Sequence, residues 1–304
     1  MLENDTRKGP HLEERILATL GLVEERGYNL TLNSLSEKLV GGKVNPEELE
    51  HYLKQMDGVE YDGFFVATTG HLKAEKCQRR IVTNKKLQKR YLFIAREFLA
   101  DFIELCPWVK CVLIAGSMAS EGLSKEDDID LDIIVEDGTK YSTWLLGLIL
   151  CYRYSLKYRK EFSVRWYNSL ARVICLSVIW ESHQTDPFLR KDGQLAYELL
   201  TAKVLYSENY FRRILKVNTW LKTWFPQLLK NADGDDRRSH KTYQEYRKTV
   251  PFFIEGLCHL GIILLYHIIR SSIFWHDSLR ERMDHVNKVK HPYAILDNPR
   301  NISF

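Results

Sequence analysis

Gly116 and Ser117, followed across a short polar stretch by Asp128, Asp130 and Asp132, are the residues whose types and spacing could do chemistry. Around them the chain reads as an apolar strand, a Gly-Ser turn, a small helix and a second strand that opens with carboxylates. Strand side chains alternate between faces, so Asp128, Asp130 and Asp132 share one face while Ile129, Leu131 and Ile133 share the other. Carboxylates held so close raise one another's pKa unless a cation neutralises them. Magnesium takes hard oxygen ligands, keeps several waters and is commonly held by one or two carboxylates together with substrate phosphates. The Gly-Ser turn supplies the complement: a backbone that can approach closely, N–H groups, a hydroxyl and a positive helix end, all suited to phosphate oxygens. The combination predicts a nucleoside triphosphate held through its phosphates, with Mg2+ between phosphate and Asp128 and Asp130. The bland alternative is a solvated strand end whose aspartates blunt a sheet edge.

The elements that must position these residues are read from periodicity and punctuation. A length of 304 residues suits two or three domains, and an apolar fraction of 45% suits a globular protein with a core. Glu13 to Glu25 predicts a helix with Ile16, Leu17, Leu20 and Val23 on one face, stopped by Gly27. Ser34 to Glu37 resembles a capping box that opens a second helix, and Asn45-Pro46-Glu47-Glu48 opens a third. Val59 to Tyr61 and Phe64 to Ala67 are short strands about the Asp62-Gly63 turn. Three helices and a hairpin describe a winged helix-turn-helix over residues 1–70. Its charge argues against duplex DNA, with 7 Lys or Arg against 13 Asp or Glu over residues 1–70. The third helix shows Glu47, Glu48, Glu50, His51, Lys54 and Gln55 where phosphates reward Lys and Arg. A protein-docking or substrate-positioning role is the expectation.

Residues 71–100 reverse the balance, with 9 Lys or Arg against 2 Glu. Lys85 to Leu105 predicts a helix carrying Leu87, Tyr91, Ile94, Ala95, Phe98, Leu99 and Phe102 at helical spacing. Lys85, Lys86, Lys89, Arg90 and Arg96 are read as its solvated face rather than as an RNA or triphosphate contact. Ser142 to Tyr158 is a mostly apolar helix, and Val173 to Ile179 a buried strand that joins the sheet. Between them Arg153, Lys157, Arg159, Lys160 and Arg165 interleave with Tyr152, Tyr154, Tyr158, Trp166 and Tyr167. Such a cluster could stack bases and contact phosphates, although aromatics of this kind are more often core.

From Gln194 onward the expectation is all-helical, with helices over Leu195 to Leu205 and Phe211 to Trp220 and a polar loop over 231–239. Val250 to Trp275 is strongly apolar, but Glu255, His259, His267 and Arg270 within it argue against a membrane span. It is expected to be a buried helix of the C-terminal bundle, and an irregular tail begins at His291-Pro292. His259 and His267 lie two helical turns apart, too far for a helical metal pair. Six cysteines without a Cys-x-x-Cys pair are read as reduced core residues. The polar N-terminus does not begin like a signal peptide, so the cytoplasm is the expected compartment.

At Gly116-Ser117 and Asp128-Ile129-Asp130-Leu131 the chain resembles the DNA polymerase β-like nucleotidyltransferase superfamily. Residues 80–226 further resemble prokaryotic nucleotidyltransferase-domain proteins of undefined substrate, through Val173 to Leu176, Ala196 to Leu199, Asn218-x-Trp220 and Phe225-Pro226. The resemblance implies that Ser117 and its neighbouring backbone grip a triphosphate and that Asp128 and Asp130 hold one or two magnesium ions. Active members of the superfamily bring a third carboxylate from a neighbouring strand. Here the candidate strand, Arg172 to Trp180, carries no acid within it; Glu181 at its end and Asp132 on the first strand are the candidates. The expected fold is α+β, with a winged-helix-like module (1–70), a small mixed-sheet nucleotidyltransferase core (71–190) and a helical C-terminal domain (191–304). The expected activity is magnesium-dependent transfer of a nucleoside monophosphate from an NTP to an acceptor hydroxyl, an RNA end or a protein side chain being favoured. Its rivals are a nucleotide-sensing protein with little turnover and a winged-helix DNA-binding regulator.

Overall fold

The structure, a computed structural model, describes residues 11–24, 26, 28–120, 122–123, 127–158, 161, 173–232 and 250–271. The fold is α+β, with two small sheets and helices packed around them.

The N-terminal segment holds α1 (Leu12–Glu24), β1 (Leu30–Thr31), α2 (Leu32–Glu37), α3 (Pro46–Leu53), β2 (Val59–Tyr61) and β3 (Phe65–Thr68). Ile16, Leu20 and Val23 form the buried stripe of α1. Gly27, expected to stop that helix, lies outside the described residues. The cap of α2 differs from the expectation: Thr31, not Ser34, accepts the Ser34 N–H, at 3.1 Å, because the chain leaves β1 directly into the helix. Asn45 caps α3 as expected, its Oδ1 accepting the Glu47 N–H at 2.8 Å with Pro46 in the first turn. At the hairpin, Asp62 Oδ1 accepts from the N–H groups of Phe64 and Phe65, and Gly63 adopts φ +93°. β1 adds a third antiparallel strand, giving the order β1-β3-β2. Glu47, Glu48 and His51 of α3 and the following Lys54 and Gln55 are exposed.

The second sheet is built from β4 (Val109–Ile114), β5 (Ile129–Val135), β6 (Ile174–Glu181) and β7 (Lys203–Tyr206), in the order β6-β5-β4-β7. β5 runs antiparallel to β4 and parallel to β6, and β7 is antiparallel to β4. β7 corrects the all-helical expectation: the helix predicted to reach Leu205 is α8 (Gly193–Thr201), and the chain then pairs with β4. Lys203, Val204 and Tyr206 pair with Ile114, Leu113 and Val112 along that edge, and this backbone pairing outweighs local helical preference.

Helices cover both faces of this sheet. On one side lie α4 (Ala74–Leu105) and α6 (Lys140–Lys157), with the four-residue α5 (Gly116–Ala119) between β4 and β5. Tyr91, Ile94, Ala95, Phe98 and Phe102 of α4 pack with Trp144, Leu150 and Tyr154 of α6 over Ile129, Leu131 and Ile133. Gly147 lets α6 approach: a Cβ there would lie 2.4 Å from Leu176 Cδ1. On the other side Leu113, Ile134, Val178 and Trp180 face α7 (Ser182–Thr185), α8, α9 (Glu208–Val217), α10 (Leu221–Trp224) and α11 (Pro226–Ala232). That core is continuous with the N-terminal segment, where Ile16, Leu35 and Leu49 join Tyr197 and Phe225. Gln227 fastens the junction by donating to the carbonyls of Glu37 and Leu39, at 3.2 and 3.1 Å.

Within the basic and aromatic cluster, Tyr152, Arg153 and Lys157 are exposed. Tyr154 and Tyr158 are buried, Lys157 pairs with Glu97, and Arg90 makes a two-point contact with Glu161 at 2.8 and 2.7 Å. Arg159, Lys160, Arg165, Trp166 and Tyr167 lie outside the described residues, as do Arg172 and the tail beginning at His291. Most of the predicted loop over 231–239 also lies outside them. α12 (Phe252–Ser271) corrects a further expectation, since over residues 252–264 most of its side chains are exposed. Its acid faces inward: Glu255 accepts the N–H groups of Tyr141 and Ser142 at the start of α6, and His259 stacks on Tyr141 at 4.0 Å. Phe252, Phe253, Leu257, Leu260 and Leu264 consequently point outward. Among the described residues no helix is long and apolar enough to cross a membrane.

Candidate metal centre

The centre forms where β4 hands over to α5 and β5 begins. Ala115 donates its N–H to Asp130 O at 2.9 Å, which folds the turn back across β5. Gly116 adopts φ +61°, and a Cβ there would lie 2.0 Å from Asp130 Oδ2. Only glycine therefore lets the turn sit against the carboxylate. Below it, Ser120 Oγ donates to Gly116 O at 3.0 Å and the Gly122 N–H to Ser117 O at 2.9 Å. The Ser117 hydroxyl oxygen is buried and has no hydrogen-bond partner among the described residues. Gly116 and Ser117, expected together with the aspartates, are thus brought to them.

Asp128, just ahead of β5, and Asp130, its second residue, each place a carboxylate oxygen within 4.8 Å of the other and of Cys175 Sγ. Cys175 lies opposite Asp130 in the parallel register of β5 and β6. Two residues on, Ser177 Oγ donates to Asp130 Oδ1 at 3.2 Å and fixes that carboxylate's orientation. Proximity of two carboxylates favours a cation between them.

Neither candidate for a third carboxylate joins this cluster. Asp132 shares the face of Asp130 but sits one pleat deeper, opposite Leu113 and Val178, where it is 1% exposed. Glu181 pairs with Val135 at the far end of the sheet, roughly 20 Å along the strand from Cys175. It is occupied structurally, accepting the Gly138 N–H at 2.6 Å and closing a capping box with Gln184 on α7. The physical reason is direction: because β6 runs parallel to β5, its acidic end meets the end of β5 rather than the aspartates at its start.

Two further groups escaped the sequence reading. Tyr91 on α4 is 3% exposed, and burial pushes its phenol up to about 12, with the charges of Asp127 and Asp128 adding to the effect. It is therefore a neutral hydroxyl near those acids at ordinary pH. Lys203 on β7 donates to Met118 O in α5 at 3.4 Å, a cation brought to the Gly-Ser turn by the strand that periodicity missed. A cavity of about 30 Å3 behind the turn is lined by Asn29, Thr31, Arg80, Ser120 and Gly122. It has room for water.

The donor set divides in its fit to magnesium. Asp128 and Asp130 supply the hard oxygens that Mg2+ takes, whereas the sulfur of Cys175 is a soft ligand that it does not. Comparison of the chain with protein-family models, curated proteins and solved structures finds no match.

Proposed function

We propose that this chain is a divalent-cation-dependent nucleotidyltransferase that moves a nucleoside monophosphate from an NTP to an acceptor hydroxyl. The observation that supports the reading is the close approach of Gly116 to Asp130, which sets the Gly-Ser turn against the carboxylate pair. Ser117 and the first-turn N–H groups of α5 would take the phosphate oxygens. Asp128 and Asp130 would hold Mg2+ against them, and Ser177 keeps Asp130 aimed. A cation bound there supplies charge neutralisation for the phosphates and a lowered pKa for the attacking hydroxyl. Tyr91 would offer a neutral hydroxyl near Asp127 and Asp128. An RNA end or a protein side chain is the favoured acceptor, since the flanking segments are large for an enzyme acting on a small molecule. The N-terminal helices and hairpin are read as a winged-helix-like docking element, with acidic α3 unsuited to duplex DNA.

The test is incubation with Mg2+ and each labelled triphosphate. Pyrophosphate release or self-labelling that vanishes in Asp128→Ala and Asp130→Ala supports the reading. Cys175 favours a second one, because it occupies the position from which a third carboxylate would come. On that reading the centre binds nucleotide as a sensor, and the same experiment returns triphosphate binding without pyrophosphate.

A further inference from the structure

The mixed chemistry of the cluster bears on which ion it holds. Two carboxylate oxygens and one sulfur lie within 4.8 Å of one another, from Asp128 just ahead of β5, Asp130 on β5 and Cys175 on the adjacent β6. The register of β5 and β6 is not free to slip, since Ile129, Leu131 and Ile174 on the opposite face are all fully buried. Cys175 is therefore held beside Asp130 by the packing of the sheet. The Ser117 hydroxyl lies one residue from the Gly116–Asp130 contact, and its buried oxygen has no hydrogen-bond partner among the described residues. A phosphate or water on an open coordination position of a bound ion would satisfy it.

We propose that Asp128, Asp130 and the thiolate of Cys175 form a three-ligand site for a borderline divalent transition ion, represented by Zn2+, in preference to Mg2+. This rests on the reading of Asp128 and Asp130 as metal ligands given above. Thiolate ligands select Zn2+ and its neighbours, while oxygen-only sites suit Mg2+. Three protein ligands leave an open position for water or a substrate oxygen, the arrangement of reactive rather than structural zinc sites. On binding, the Cys175 S–H bond gives up its proton to solvent as the sulfur–metal bond forms, so one proton is released per ion.

Cobalt(II) is the probe, titrated into the full chain after removal of metals. The expected result is a sulfur-to-cobalt charge-transfer band in the near ultraviolet that Zn2+ abolishes by displacement and Mg2+ does not. Cys175→Ser should lose the band and bind Co2+ about 100-fold more weakly, the upper end of what even indirect metal partners contribute. Its thermal midpoint, measured without metal, should stay at the wild-type value. Cys175→Asp should move the preference toward Mg2+ by about tenfold or more. Co2+ binding that depends on Asp128 and Asp130 but shows no band, or a band that survives Cys175→Ser, overturns the thiolate ligand and leaves the carboxylate reading standing. Divalent binding that is indifferent to Asp128→Asn and Asp130→Asn overturns both.

Discussion

Replacing Gly116 by alanine tests whether the turn and the carboxylates are one site. A Cβ at this position would lie 2.0 Å from Asp130 Oδ2, whereas ordinary contact begins at 3.4 Å, so the carboxylate must retreat by the difference between the two. The φ of +61° adds backbone strain of about 1–2 kcal/mol for an L-residue. Forcing Asp130 off its rotamer costs about 0.5–1.5 kcal/mol more. Together these lower stability by roughly 1.5–3.5 kcal/mol, a fall in thermal midpoint on the order of 2–6 °C at about 2.1 cal/mol/K of unfolding entropy per residue. Metal geometry tolerates displacements of only about 0.2 Å, so Gly116→Ala should bind Mn2+ as poorly as Asp130→Asn does. Isothermal titration with Mn2+ alongside thermal unfolding gives both readouts. Gly58→Ala is the control, since Gly58 has φ +78° and nothing within 4 Å of its Cβ position. It should lose stability through strain alone and keep wild-type ion binding. Mn2+ affinity unchanged in Gly116→Ala, with no greater loss of stability than in Gly58→Ala, would refute the reasoning.

Glu181→Ala should leave Mn2+ affinity at the wild-type value and lower the thermal midpoint, because its carboxylate serves Gly138 and α7; a loss of ion binding would restore it to the site. Asn218 is fully buried, with Oδ1 accepting from Phe188 N and Trp220 Nε1 and Nδ2 donating to the carbonyls of Thr185 and Ile214. Asn218→Asp keeps the shape but turns a donor toward carbonyls into an acceptor, and urea unfolding should show a loss of about 3 kcal/mol or more. For Tyr91 the folded state holds the phenolic proton more tightly than the unfolded chain. Stability should therefore fall as pH rises from 10.0 through about 12, and Tyr91→Phe should remove that part of the alkaline loss in unfolding curves.

How much of this was legible in the sequence depended on whether the signal was local. Strand alternation at Ile129 to Ile133, the helical stripe of α4 and the Asn45-Pro46 cap are all written within a few residues, and each has its expected counterpart. The Gly-Ser turn and the Asp128-Asp130 pair were legible for the same reason. Cys175 was not, because its place beside Asp130 depends on a parallel register between strands far apart in the chain. The same missing information put Glu181 forward, since its position in the chain says nothing about which end of the sheet it reaches. β7 went unread because Lys203 to Tyr206 is too short to show a period and follows directly on a helix. α12 was misjudged through composition: its apolar count is high, but Glu255 is turned inward to cap α6.

The single core shared by the N-terminal helices and α8 to α11 constrains the order in which this protein can be made. Ile16 and Leu20 leave the ribosome well before Tyr197, Phe225 and Leu228, which help complete their surroundings. At ordinary elongation rates the delay is on the order of 10–40 s. During that interval the nascent chain displays greasy side chains with nothing yet synthesised to cover them, so its yield in the cell should track the supply of chaperones acting at the ribosome.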